Sequence, residues 1–122
     1  MHKTQVPVAY VERLNQHLSG HPLEPLSDLF APDARVERYL LGEEPRVYSG
    51  IEQIEEMFLR LPPVGGSFRV TDVQVEADTI HARFHTRDFP YPMRGTYRFE
   101  LDPSGRVARL YISARYSQPP SP

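Results

Sequence analysis

The sequence predicts an α+β fold, with three N-terminal helices packed on one face of a curved antiparallel sheet of five or six strands. Two observations carry this. Before Pro62, three runs place apolar residues three or four positions apart, whereas from Ser67 onward apolar and polar residues alternate, the period of strands with one buried face. Between the two regimes lie Pro62-Pro63, which terminate a helix, and Gly65-Gly66, which read as a flexible hinge.

Each element can be justified in order. Pro7 suits the first turn of a helix, and Tyr10, Val11, Leu14 and Leu18 then share one face until Gly20 stops it. A second helix of about two turns is expected from Leu23, Leu26, Leu29 and Phe30, ended by Pro32-Asp33. Over the strand that follows, Ala34, Val36, Arg38 and Leu40 hold one parity against Arg35, Glu37 and Tyr39. A turn at Gly42-Glu43-Glu44-Pro45 leads to a short return strand, Arg46-Val47-Tyr48. Ser49 with Glu52 three residues later has the pattern of a capping box, ahead of Ile51, Ile54, Phe58 and Leu61 at helical spacing.

In the second half, Phe68 and Val70 hold one parity and Val73, Val75 and Ala77 the other, which requires a bulge near Thr71-Asp72. After a turn near Asp78, Ile80, Ala82 and Phe84 alternate with His81, Arg83, His85 and Arg87. A proline-rich connection, Phe89 to Pro92, precedes Gly95, Tyr97, Phe99 and Leu101, which alternate with Arg94, Thr96, Arg98 and Glu100. Asp102-Pro103-Ser104-Gly105 is a strong turn sequence. The last strand sets Ala108, Leu110, Ile112, Ala114 and Tyr116 against Arg109, Tyr111, Ser113 and Arg115.

At 122 residues the chain is expected to form one domain, 1–122, ordered over about 6–117 with a loose tail at 118–122. It contains no Cys, which excludes disulfides, thiolate nucleophiles and cysteine-ligated metal centres. His81 and His85 lie four residues apart on one strand, about 13 Å at strand rise, too far to share an ion, so no metal site is expected. No apolar run approaches the roughly 18 residues of a membrane span, and MHKTQVPVAY lacks the apolar core of a signal peptide; the expectation is a soluble cytoplasmic protein.

The order of elements, with Leu29-Phe30-Ala31-Pro32-Asp33-Ala34 before the first strand and Tyr48-Ser49-Gly50 leading into an amphipathic helix, resembles the nuclear-transport-factor-2-like superfamily. Within it, the chain is most similar to the SnoaL-like and ketosteroid-isomerase-like branch, over about residues 6–117. The most specific pieces are LFAPDARVE and YSGIEQIEEMF. The resemblance implies a cone-shaped, cystatin-like α+β roll whose sheet and helices enclose an apolar cavity. Phe30, Val36, Met57, Phe58, Phe84, Thr86, Ile112 and Tyr116 would contact a small-molecule ligand there. It also implies no cofactor, and a homodimer through the outer face of the sheet. Members include isomerases, polyketide cyclases, dehydratases, epoxide hydrolases and non-catalytic adaptors, so the fold alone selects no activity.

The isomerase branch needs a carboxylate base and an oxyanion hole built from a Tyr hydroxyl and a protonated carboxylic acid. Carried over residue by residue, Tyr10 in Ala9-Tyr10-Val11 matches the tyrosine, but Arg38 stands at the base and Tyr97 at the protonated acid. Isomerisation by that mechanism is therefore not expected. Tyr10, Arg38 and Tyr97 together would instead supply a cation and two hydroxyl donors, able to hold a carboxylate, enolate or carbonyl oxygen but unable to abstract a proton. Asp88, on the parity of Ile80, Ala82, Phe84 and Thr86, is the best-placed candidate base. Plainer readings stand beside these: Tyr10 as packing with its hydroxyl at the rim, Arg38 paired with Glu37, Asp88 or another acid, and Asp88 as the cap of its loop.

Charge is unevenly spread: residues 1–61 carry 6 basic and 10 acidic side chains, and 62–122 carry 8 and 6, within a net charge of -2. The outer parity collects His81, Arg83, His85, Arg87, Arg94, Arg98, Arg109 and Arg115, with Glu100 as its acid. Net negative charge and the lack of a recognised motif speak against nucleic acid. A second copy bringing Glu43-Glu44 or Glu55-Glu56 to this face would reconcile the cations with a dimer. Two functional readings remain open at this point: a cofactor-independent lyase or isomerase acting on a carbonyl-bearing or anionic hydrophobic substrate, and a non-catalytic ligand-binding or dimerisation module.

Overall fold

A computed structural model describes residues 2–61 and 65–117. After a 3-10 turn at Lys3–Gln5, the elements are α1 (Val6–Leu18), β1 (Phe30–Leu40), β2 (Arg46–Ser49), α2 (Ile51–Leu59), β3 (Ser67–Glu76), β4 (Thr79–Arg87), β5 (Met93–Leu101) and β6 (Val107–Tyr116). The fold is α+β, and its six strands form one curved sheet in the order β2-β1-β6-β5-β4-β3. Every pair is antiparallel except β1 with β6, which is parallel, so the expectation of a purely antiparallel sheet is corrected to a mixed one. A chain that passes from β1 through a hairpin, a helix and three further strands before returning beside β1 has no requirement to arrive antiparallel.

Among the described residues there are two α-helices rather than three. Leu26, Leu29 and Phe30 are buried, as their spacing predicts, but residues 21–25 have no regular structure and Ser27–Leu29 form a single turn. Pro22 and Pro25 remove two backbone donors and crowd the carbonyls a turn before them, which stops a helix from propagating here. Arg13 of α1 holds the segment instead. Its Nη1 donates to the Pro25 carbonyl at 2.6 Å and its Nη2 to both carboxylate oxygens of Asp28, at 2.8 and 3.0 Å.

Pro32-Asp33 do not end a helix but lie inside β1, in an irregularity. Pairing with β6 jumps from Phe30–Val107 to Arg35–Arg109, five residues on one strand against two on the other. Pro is tolerated where the ladder is already broken. The bulge expected in β3 is present between Thr71 and Gln74, with Asp72 at φ 52°.

The capping box at Ser49 and Glu52 does not form. The N-cap of α2 is Gly50, at φ 84°, and it is Gln53 whose Oε1 accepts from the Ser49 N–H at 2.7 Å. Gly66 is not a free hinge either: a Cβ there would fall 2.6 Å from the Asp88 carbonyl oxygen, so the chain passes tightly against the end of β4. Pro62-Pro63 and the tail at 118–122 lie outside the described residues.

Both helices pack on one face of the sheet, over a core that includes Leu14, Leu18, Leu26, Phe30, Val36, Ile54, Phe58, Ile80, Phe99 and Leu110. Asn15 fixes α1 to β3, its amide donating to the Phe68 carbonyl at 3.1 Å and accepting from the Phe68 N–H at 2.7 Å. His17 Nε2 lies 2.6 Å from the Leu61 carbonyl oxygen, joining α1 to the residues just after α2. Among the described residues, no helix is long and apolar enough to cross a membrane.

Candidate functional site

Register places the inward side chains of the central strands in cross-strand rows. Ile80, Phe99, Leu110, Val36 and Tyr48 form one row, and two residues further along lie Ala82, Tyr97, Ile112, Arg38 and Arg46. The next row brings together Phe84, Gly95, Ala114 and Leu40. Gly95 is required there: a Cβ would run into the Ser113 carbonyl oxygen and come within 2.8 Å of the Phe84 ring. That space lets Phe84 stack on Tyr97 with centroids 4.3 Å apart and planes 12° from parallel.

Tyr10 descends from α1 onto this surface. Its ring meets Tyr97 edge-on at 5.2 Å, and Phe58, Phe99 and Phe30 at 5.6, 5.7 and 6.3 Å. Beside this cluster a cavity of about 70 Å³ opens between helices and sheet. Its walls are Tyr10, Leu14, Arg38, Leu40, Met57, Leu61, Phe68, Phe84, Met93, Tyr97, Ile112 and Ala114. Tyr10, Arg38 and Tyr97 are thus brought together, with Met57, Phe84 and Ile112 from the expected ligand contacts.

The other expected residues lie elsewhere. Phe30, Val36 and Phe58 are sealed in the core, where Phe30 and Phe58 support the Tyr10 ring from behind. Thr86 spends its hydroxyl on the Met93 backbone, accepting from the N–H at 2.9 Å. Tyr116 is half-exposed and meets Tyr91 edge-on at 6.4 Å. Asp88 is exposed at φ 55° in the bend after β4 and is not part of the cavity wall. Parity aims residue 88 inward only while the strand continues, and β4 ends at Arg87. Leu14, Leu40, Leu61, Phe68, Met93 and Ala114 also line the cavity; apolar periodicity marked most of them as core, but it cannot tell a wall from a filling.

The electrostatics are one-sided. Arg38 is half-buried and has no ion pair among the described residues, so the alternatives of pairing with Glu37 or Asp88 do not hold: Glu37 pairs with Arg35 at 3.4 Å. Burial pushes the Tyr10 hydroxyl well above the ordinary phenol range, partly offset by the positive charge of Arg38. Tyr97 is raised by burial and then by Tyr10 beside it. Both stay neutral near pH 7 and can donate. Among the described residues no Asp, Glu or His lines the cavity, so this wall holds one cation and two hydroxyls but no carboxylate or imidazole to take a proton. Among the described residues, no group of three His, Cys, Asp or Glu could hold a metal ion.

A family model of the SnoaL-like domain matches residues 11–110, and the chain belongs to that family. The fold recurs in solved structures. A candidate polyketide cyclase from Sinorhizobium meliloti is 26% identical, with a TM-score of 0.65 over 88% of this chain and 93% of the other. A candidate ketosteroid isomerase from Kribbella flavida is 16% identical, with a TM-score of 0.69 over 98% and 80% of the two chains. The epoxide hydrolase/cyclase-like enzyme SalBIII of pyran-ring formation in salinomycin is 13% identical, with a TM-score of 0.62 over 93% and 89%. No curated protein matches the sequence.

Proposed function

We propose that this SnoaL-like chain binds a small, partly hydrophobic molecule between its sheet and helices, and acts on it as a cofactor-independent enzyme of the lyase or isomerase type. The substrate is carbonyl-bearing or anionic, and Tyr10, Arg38 and Tyr97 hold the oxygen on which negative charge rests or develops. The observation that carries this reading is Arg38, a cation without an ion-pair partner among the described residues, at the wall of an apolar cavity. A half-buried guanidinium left unpaired costs free energy that an anionic group could offset. Preorganised donors facing a developing oxyanion are a large source of catalysis in other enzymes. Asp88, exposed outside the cavity, is not carried forward as the base.

The lack of a carboxylate or imidazole in the wall favours a second reading, in which the chain binds its ligand without turning it over. A thermal-shift screen of small carboxylates, ketones and polyketide-like aromatics tests the binding common to both, since a ligand of the native state raises Tm. Consumption of a ligand that binds separates the two. A screen without hits removes both.

We propose further that the chain forms a homodimer through the outer face of the sheet. Cations there are less isolated than parity suggested: Arg98 lies 4.0 Å above the Tyr111 ring and 3.6 Å from Glu100, and Arg83 lies 3.9 Å from Asp72. With Glu43-Glu44 or Glu55-Glu56 of a second copy as partners, dimerisation should weaken as salt rises. Loss at low salt, seen by sedimentation, argues against this pairing.

A further inference from the structure

We infer that the ligand of the cavity is a short aliphatic monocarboxylate, its carboxylate held by Arg38 and the tyrosine hydroxyls and its tail against Leu14, Met57, Phe68 and Phe84. This rests on the small-molecule reading above and names the ligand class for the same site. Charge balance argues first. The wall carries one permanent cation, two neutral hydroxyls and no acid, so one negative charge neutralises it. A dianion would leave an uncompensated charge in an apolar chamber, and a cation would meet only repulsion.

Geometry agrees. Arg38 and Tyr97 stand on the same face and the same cross-strand row with Ile112 between them, about 10 Å apart at two strand spacings. A small anion above Ile112 is met from both sides, while Tyr10 approaches from α1, its ring 5.2 Å from that of Tyr97. All three side chains donate and none is a dedicated acceptor. A carboxylate offers two oxygens to the planar guanidinium fork, whereas a ketone offers one and an amide offers one oxygen and adds N–H groups that only the tyrosine oxygens could receive.

Volume sets the length. A chamber of about 70 Å³ holds roughly two waters' worth of material, and a dry engineered cavity of about 150 Å³ takes benzene. An acid of about two carbons fills it; propanoate and butanoate, the latter with as many non-hydrogen atoms as benzene, fit only with the end of the tail at the open mouth, and a polyketide-sized ligand does not, since such pockets run to about 300 Å³ or more.

The test is calorimetric titration of the intact chain with acetate, propanoate and butanoate, against butanamide, butan-2-one, succinate and octanoate. The short monocarboxylates should bind at least tenfold more tightly than the neutral and dianionic probes. Arg38→Met should weaken propanoate tenfold or more, while Arg46→Met, at the exposed outer end of the same row, changes it less than twofold. Should Arg38→Met fail to fold, the Tyr10→Phe/Tyr97→Phe double variant keeps both rings and should weaken propanoate about fivefold. Equal binding of butan-2-one or butanamide, or undiminished binding by the variants, overturns the carboxylate assignment and leaves the small-molecule reading standing. A preference for octanoate overturns the size limit. If no probe binds, and the aromatic ketones of the wider screen also fail, the broader reading falls with it.

Discussion

Two neighbouring rows on the same face of the sheet have opposite characters. Ile80, Phe99, Leu110 and Val36 are each 0% exposed and belong to the apolar core cluster. Two residues along the same strands, Tyr97, Ile112 and Arg38 reach the point where packing stops and a chamber begins. The first row is complete without a ligand; the second leaves a cation and one hydroxyl at a chamber that Tyr10 of α1 also lines. A site of this kind is a core row that carries an Arg and whose neighbouring layer is left short of atoms.

The contrast can be broken or sharpened by substitution. Phe99→Ala, in the sealed row, should cost about 3–5 kcal/mol in denaturant unfolding, because the cavity it leaves cannot collapse under Tyr10 and Tyr97. Gly95→Ala should cost about 3 kcal/mol, at the upper end for overpacking, because the obstacle is the β6 backbone; it should also displace Phe84 from Tyr97, visible in near-ultraviolet circular dichroism. Asn15→Ala removes the two bonds to Phe68, which the open row depends on to keep α1 over β3. A loss of about 1–3 kcal/mol is expected, with earlier amide exchange at Phe68.

Arg38→Met should cost nothing and raise Tm by up to a few degrees without ligand, since it swaps an unpartnered cation for an apolar chain of similar length. A clear fall in Tm would mean that Arg38 is already satisfied in the native state and that its row is as complete as the sealed one.

The open row also has a pH signature. Tyr10 and Tyr97 have folded pKa values raised above the ordinary 10.0, so their contribution is intact below that pH and is lost as pH rises through the folded values. Tyr10→Phe and Tyr97→Phe should each shift alkaline unfolding upward in pH. The smallest effect is expected at the far turn. Asp102 is held below the usual carboxylate range by the Ser104 hydroxyl and then by the Arg106 and Ser104 N–H groups, so its contribution is present above the ordinary 3.8 and is lost as acid takes pH through the lower folded value. Asp102→Ala should flatten that acid limb only slightly, the group being exposed.

Much of the fold was legible in the chain. Period-two alternation from Ser67 marked β3 to β6 and their inward sets, and the parity switch at Thr71-Asp72 marked the bulge, because strand geometry exposes alternate residues regardless of what they pack against. The same parity placed Tyr97, Ile112 and Arg38 on one face. Leu23 to Phe30 misled because burial was read correctly and conformation was not: three inward side chains suit a helix, but Pro22 and Pro25 and the distant Arg13 made a turn of them. Asp88 misled because parity was extended one residue past the end of a strand.

By itself, the sequence determined the class of fold and the inward face of the strands, since these follow from local periodicity and residue type; that Arg38 stands where isomerases keep their base rests on the resemblance. Tertiary structure alone decided that β1 returns parallel to β6, that Arg38 has no acid beside it among the described residues, and that the chamber it faces is about 70 Å³. Those outcomes depend on which side chains meet across long sequence separations, where a cavity is defined by atoms that no neighbour supplies, and no local pattern records that.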